Sequence, residues 1–219
     1  MAQPVAYLFD MDGVIIDSTG VHTDAWIAYL RGHGMELPDV GVRMLGKHND
    51  AIVREFFGHT PLTDDAVFAH GAAKEKVYRE QMDSLFDEKL VPGIREFLEK
   101  LTGIPAGIGS NAETANVDFV LERAGLRKYF QAVASGHDVA RPKPAPDIYL
   151  KVADMLNALP SSCIVFEDSL TGVEAARAAG MRVVGVCTTL DEFPDVDLAI
   201  RDFQDPRLDE WLTSIHELA

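Results

Sequence analysis

Asp10 and Asp12 stand one residue apart at the end of an apolar run, Val5-Ala6-Tyr7-Leu8-Phe9, and Gly13 follows them. Two carboxylates this close can hold a hard cation, or divide the work of nucleophile and general acid/base. Three more polar clusters follow downstream: Ser110-Asn111, Lys143 and Glu167-Asp168. Each has an ordinary structural explanation. Ser110-Asn111 suits the start of a helix near Glu113, Lys143 suits a solvated loop, and Glu167-Asp168 suit the cap of a helix at Gly172. Taken together they supply what phosphoryl transfer requires: a nucleophile, a cation site, donors for phosphoryl oxygens and an acid/base for the leaving group. Carboxylates from two strand ends can hold Mg²⁺, Lys143 can neutralise charge near the nucleophile, and Ser110 can donate to a phosphoryl oxygen. An aspartate that attacks phosphorus gives an acyl phosphate, which water then cleaves.

Such a set works only if the chain delivers its members to one place. A short, continuous apolar run reads as a strand buried on both faces. Val5–Phe9 is one, Cys163-Ile164-Val165-Phe166 is the cleanest after it, and Arg182–Val186 is a third. Pro105–Gly109, Ala132–Ala134 and Leu198–Ile200 are weaker candidates. Helical patterns lie between them at Ile94–Leu101, Glu113–Ala124, Asp147–Leu156, Gly172–Ala179 and Pro206–Leu218. Arg141-Pro142-Lys143-Pro144-Ala145-Pro146 must be a loop, because its prolines remove backbone donors. Alternating strands and helices predict an α/β fold, a doubly wound parallel sheet. In such a sheet the polar clusters arrive at one edge, beyond the carboxyl ends of the strands.

The stretch from Asp17 to Leu85 differs. Ser18 or Asp17 is placed to cap a helix bearing Val21, Ala25, Trp26, Tyr29 and Leu30. A Gly-rich loop, Met44-Leu45-Gly46-Lys47-His48-Asn49, precedes a helix over Asp50–Phe57, a turn covers Gly58–Pro61, and a long helical pattern starts at Thr63. No strand pattern occurs there, so residues 17–88 are expected to be an inserted α-helical domain, with 1–16 and 89–219 forming the α/β core.

The chain has 219 residues, 47% of them hydrophobic and 25% charged, as in an ordinary globular protein. A formal net charge of -15 argues against nucleic acid and anionic membranes as partners. An anionic substrate then requires a local positive site or a bound cation. Cys163 and Cys187 sit in apolar runs and are expected to be buried thiols. No basic segment precedes the first apolar run and no stretch is long enough to span a bilayer. The expected setting is cytoplasmic, for a monomer or weak homodimer acting on a small molecule.

The four clusters in this order resemble the haloacid dehalogenase superfamily, in its branch of small-capped phosphatases and β-phosphoglucomutases. The motifs are Phe9-Asp10-Met11-Asp12-Gly13-Val14, Gly109-Ser110-Asn111, Lys143-Pro144-Ala145-Pro146-Asp147 and Phe166-Glu167-Asp168-Ser169-Leu170-Thr171-Gly172. The resemblance spans essentially the whole chain. It implies a Rossmann-like core with Asp10 as nucleophile and Asp12 as general acid/base. It further implies Mg²⁺ on Asp10, the Asp12 carbonyl and Asp168, with Glu167 as a further ligand. Ser110, Asn111 and Lys143 would bind the phosphoryl group. The helical insert would be the cap, hinged near Ile15–Ser18 and Asp87–Pro92. Its substrate-side candidates are His22, Lys47, His48, Asn49 and Lys74. His22 and Lys74 match mutase cap positions. Asn49 stands where the mutase has the arginine that grips the second phosphate, and losing that bidentate clamp weakens the mutase reading.

The expectation is therefore a Mg²⁺-dependent phosphatase of a small phosphorylated metabolite, a sugar phosphate by preference. The alternative is a β-phosphoglucomutase interconverting glucose 1-phosphate and glucose 6-phosphate. A dehalogenase would leave Asp12 and the Glu167/Asp168 pair idle. A phospho-accepting signalling module would carry its acceptor on a middle strand, and here the acceptor follows the first.

Overall fold

A computed structural model of the protein describes residues 5–44, 47–58, 61–101 and 103–218. Leu45 and Gly46 of the expected Gly-rich loop, and His59 and Thr60 of the following turn, lie outside the described residues. The chain divides into two compact units. One runs up to Asp17 and resumes at Lys89, and the other is Ser18–Glu88.

The first unit holds a six-stranded sheet. Its strands are β1 (Ala6–Phe9), β2 (Ala106–Gly109), β3 (Ala132–Ala134), β4 (Cys163–Glu167), β5 (Arg182–Val186) and β6 (Leu198–Ile200). Every pairing is parallel, in the order β3-β2-β1-β4-β5-β6. The winding reverses between β1 and β4, which is where a doubly wound sheet opens its crevice. In register, Phe9 faces Phe166 across that junction, so the residues that follow them, Asp10 and Glu167, leave the sheet side by side.

Strand alternation sorts the core into two faces. Ala6, Leu8, Cys163 and Val165 are fully buried with Ile148, Tyr149 and Val152 and with Val173, Ala175 and Ala176. Those partners come from two helices, α7 (Asp147–Met155) and α8 (Leu170–Ala178). The other face is aromatic. Phe9 stacks on Phe166 at 4.7 Å, and Phe97, Phe130 and Phe203 surround Phe9 at 5.7 to 6.3 Å. Each buried phenylalanine contributes roughly 1.5–3 kcal/mol, so the strands that carry the site rest on a firmly packed aromatic cluster. Phe97 comes from α5 (Ile94–Lys100), α9 (Pro206–Leu218) packs against β6, and α6 (Thr114–Ala124) joins β2 to β3. Cys163 is buried as expected, but Cys187 is partly exposed, because β5 ends at Val186 and Cys187 already belongs to the loop.

The second unit is helical: α1 (Thr19–Gly32), α2 (Val40–Met44), α3 (Asn49–Phe57) and α4, which runs from Asp64 to Lys89. Ser18 occupies the N-cap position of α1 without a side-chain capping bond. Trp26, Leu30, Val40, Ile52, Val53, Phe56 and Val67 form its core. The expected loop is shorter than its sequence suggested, since Met44 ends α2 and Asn49 starts α3. The chain leaves the first unit and returns to it side by side. Ile16 bridges Leu90 in antiparallel fashion, and the Asp17 N–H donates to the Lys89 carbonyl at 2.7 Å. No helix among the described residues is long and apolar enough to cross a membrane.

Candidate active site

The last rung of the central ladder fixes Asp10. Its N–H donates to the Phe166 carbonyl at 3.0 Å, and its carboxylate is buried. Beyond it the chain must turn at once. Gly13 takes φ +75°, its N–H donates to the Ile16 carbonyl at 2.7 Å, and a Cβ there would fall inside the Asp168 carboxylate. Glycine is therefore required twice over, by conformation and by space. Asp12 sits in this turn, partly exposed.

Ser110 and Asn111 follow β2, beside β1. Ser110 is buried, and its Oγ accepts the Ala112 N–H at 3.1 Å. The Asn111 side-chain carbonyl accepts the Lys143 N–H at 3.1 Å, which ties the proline loop to the end of β2. The Lys143–Pro144 peptide is cis.

From that loop the buried Lys143 ammonium reaches three oxygens. It donates to Asp10 Oδ1 at 2.6 Å, to Glu167 Oε1 at 2.7 Å and to the Tyr149 hydroxyl at 2.8 Å. An ammonium has three N–H donors, so this set occupies them all. Glu167 is fully buried and equally committed. Its Oε1 also accepts the Tyr149 O–H at 2.7 Å, and its Oε2 accepts from the Asp168 N–H, the Ser169 N–H and the Ser169 hydroxyl at 3.0 to 3.1 Å. The cap of α8 is Ser169, whose Oγ accepts the Gly172 N–H. Glu167 and Asp168 thus precede the cap rather than form it, with Glu167 Oε1 directed to Lys143 and its carboxylate in space that a Cβ on Gly172 would occupy.

Burial dominates the electrostatics. It pushes the Asp10 carboxyl up to about 7, against the pull of Lys143 and with the added repulsion of Glu167 and Asp12. It raises Asp168 well above the usual carboxylate range, and the Glu167 and Asp10 charges add to the effect. For Lys143, burial works against the charge, but Asp10 and Glu167 outweigh it and hold the ammonium above its ordinary value. Asp10, Glu167 and Asp168 present oxygens that lie within 4.8 Å of one another. Three carboxylates and one ammonium leave an excess of negative charge in a buried place, and hard oxygen donors in that number suit a small hard dication.

Three further groups touch this centre that no motif in the sequence singles out: Thr188, Thr189 and Tyr149. The Thr189 hydroxyl donates to Asp168 Oδ2, and its neighbour Thr188 donates to the Gly13 carbonyl at 2.6 Å. The two threonines sit in the loop after β5, and only their place beyond a strand end marked them. Tyr149 reads in sequence as an apolar position of α7, and its hydroxyl role is invisible there.

The helical-unit candidates fall into separate groups. Lys74 is buried. Its ammonium bonds Glu75, lies 3.2 Å from His22 Nδ1 and sits 5.1 Å above the Trp26 ring, while His22 stacks on Tyr78 at 3.8 Å. Lys47 pairs with Glu55 at 2.5 Å, as does Arg43 at 2.9 Å. His48 lies 3.9 Å from Asp50, and Asn49 abuts Gly71 of α4.

Comparison with known proteins agrees with this architecture. Residues 5–180 match the haloacid dehalogenase-like hydrolase family. The chain is 34% identical over 182 residues to the fructose-1-phosphate phosphatase YqaB of Escherichia coli, covering 82% of this chain and 94% of that protein. It is 30% identical over 217 residues to the β-phosphoglucomutase of Bacillus subtilis, covering 94% and 95%. A crystal structure of a HAD hydrolase of family IA, variant 3, from Entamoeba histolytica superposes with a TM-score of 0.83 at 26% identity, over 95% of this chain and 98% of that one.

Proposed function

Because this chain belongs to the haloacid dehalogenase-like hydrolases, we propose that it is a Mg²⁺-dependent phosphatase of a small sugar phosphate, working through a phosphoryl group carried on Asp10. The observation that carries this reading is the buried contact of Asp10 with Lys143, beside Asp168, at the switch point of the sheet. Asp10 attacks phosphorus and the ester oxygen leaves. Asp12, outside the buried cluster and partly exposed, gives that oxygen its proton. Asp12 then takes a proton from the water that cleaves the acyl phosphate and frees Asp10. Lys143 holds the Asp10 carboxylate in place and offsets the charge of the incoming phosphoryl group, and Ser110 and Asn111 line its path. The Asp10 side chain, the Asp12 carbonyl and Asp168 would hold Mg²⁺, which when bound offsets the phosphate charge and the excess of carboxylates. Glu167 belongs to the same acidic group.

The preference for a sugar phosphate rests on the relative named a fructose-1-phosphate phosphatase. The mutase remains the second reading, on the strength of the Bacillus relative. Against it stand Asn49 at the arginine position and the pairing of both Lys47 and Arg43 with Glu55, since a mutase must grip a second phosphate. We propose the helical segment 17–88 as the part that selects the substrate, with His22, Lys47, His48, Asn49 and Lys74 as its candidates. Two free thiols agree with a reducing, cytoplasmic setting.

The test is a phosphate-release screen with Mg²⁺ across sugar phosphates, fructose 1-phosphate included. Stoichiometric phosphate is expected. Conversion of β-glucose 1-phosphate to glucose 6-phosphate with a bisphosphate primer, without phosphate release, would replace this reading with the mutase.

A further inference from the structure

Lys143 is anchored from behind as well as from in front. Its front partner is Asp10, and its rear partners are Glu167 and the Tyr149 hydroxyl, at 2.7 and 2.8 Å. The Tyr149 hydroxyl in turn donates to the same Glu167 Oε1 at 2.7 Å, which closes a three-membered ring of hydrogen bonds. Tyr149 is fully buried, and its ring lies under the ammonium, 4.6 Å from centroid to nitrogen. A lysine side chain has four rotatable carbons and no directional preference of its own. What aims this one at Asp10 is the seat beneath it. Within that seat Glu167 supplies charge, while Tyr149 supplies direction, because its hydroxyl accepts from Lys143 and donates to Glu167 at once.

We propose that Tyr149 is a positioning residue of the catalytic centre: with Glu167 it forms the seat that holds the Lys143 ammonium against Asp10. This rests on the reading of Asp10 as the nucleophile. Glu167 accordingly acts through Lys143, since its two oxygens already accept five hydrogen bonds, more than the roughly four lone-pair sites of a carboxylate. Without the hydroxyl, Lys143 keeps its charge and its ion pairs but gains freedom to rotate, and Asp10 loses its fixed line of attack. That fault falls on the chemical step and spares substrate binding.

Tyr149→Phe removes the hydroxyl and keeps the ring. It is to be compared with the unaltered enzyme and with Asp10→Asn, using p-nitrophenyl phosphate and saturating Mg²⁺. The expected result for Tyr149→Phe is a kcat lowered roughly 10- to 100-fold, as for other groups that orient a reacting residue. Its KM should stay within about three-fold, with a cooperative melt retained. A kcat within about two-fold of the unaltered enzyme, or a loss confined to KM, overturns the proposal while Asp10→Asn remains inactive. If Asp10→Asn itself turns over, the nucleophile assignment falls and the seat falls with it. Should Tyr149→Phe melt below the assay temperature, Glu167→Gln reads the other half of the seat, where an unchanged kcat is equally fatal.

Discussion

The Lys143 ammonium lies 2.6 Å from Asp10 Oδ1, although 133 residues separate the two in the chain. Both side chains are almost wholly buried. Removing one member of such a pair strands the other charge, which costs about 3–5 kcal/mol. Lys143→Met should therefore lower stability on that scale as well as activity, because Asp10 and Glu167 would then face each other with no cation between them. Denaturant unfolding monitored by circular dichroism measures it. An unchanged unfolding midpoint would show that the pair carries no such burden.

Asp10→Asn should abolish turnover with the fold intact, since an amide does not attack phosphorus and its oxygen can still accept from Lys143. Asp12→Ala should slow both release of the alcohol and hydrolysis of the phosphoryl-enzyme, by roughly 10²–10⁴-fold. Rapid-quench kinetics separates the two half-reactions. If Asp12→Ala impaired only one of them, its double role would be lost.

Thr189→Val deletes the hydroxyl that fixes Asp168 Oδ2. On the proposed reading of Asp168 as a Mg²⁺ ligand, an unfixed carboxylate binds the cation less well, and second-sphere losses of this kind run to roughly 10–100-fold in affinity. Isothermal titration with Mg²⁺ in the absence of substrate reads this directly. Identical affinity in the variant would leave Asp168 positioned by other groups.

The helical unit should weaken in mild acid. Burial, aided by the nearby His33 charge, holds the His70 pKa below its ordinary value of 6.5. The unfolded chain then takes up the proton more readily than the folded one. Stability is complete above 6.5 and declines as the pH falls through that value. His70 also meets the Tyr29 hydroxyl at 2.9 Å and stacks on Phe57 at 4.1 Å. The drop in melting temperature between about pH 7 and pH 5.5 should be smaller in His70→Gln than in the unaltered protein. Parallel curves would remove His70 from the account.

The parallel sheet was legible because its strands are short apolar runs, most of which stop at a polar or glycine residue. Cys163–Glu167, ending at Asp168, is the clearest case. The polar residues at the ends of β1, β2 and β4 were legible for the same reason. Tyr149 was not, because its period along α7 with Ile148 and Val152 is that of a core residue and a phenolic oxygen leaves no mark on such a pattern. Thr188 and Thr189 were hidden because the loop they occupy has no motif, and their partners, Gly13 and Asp168, are distant in sequence. Cys187 misled in the opposite sense, since an apolar run does not show where its strand will stop. In the helical segment, the pairing of Lys47 with Glu55 joins a residue outside the helices to one on α3, which periodicity does not encode.

The chain departs from the first unit at Asp17 and rejoins it at Lys89 through paired backbone hydrogen bonds and the Asp17–Lys89 ion pair at 3.1 Å. Entry and exit are thus adjacent, like the two prongs of a plug. An insertion at such a place adds nothing to the distance the host polypeptide must bridge, so inserts of different length and make-up are interchangeable there. Under the proposed division of labour, the half that carries Asp10 and Asp168 is inherited unchanged while the helical segment is exchanged as a cassette, and a chimera carrying another relative's segment between Asp17 and Lys89 should adopt that relative's substrate preference without rebuilding the site on β1 and β4.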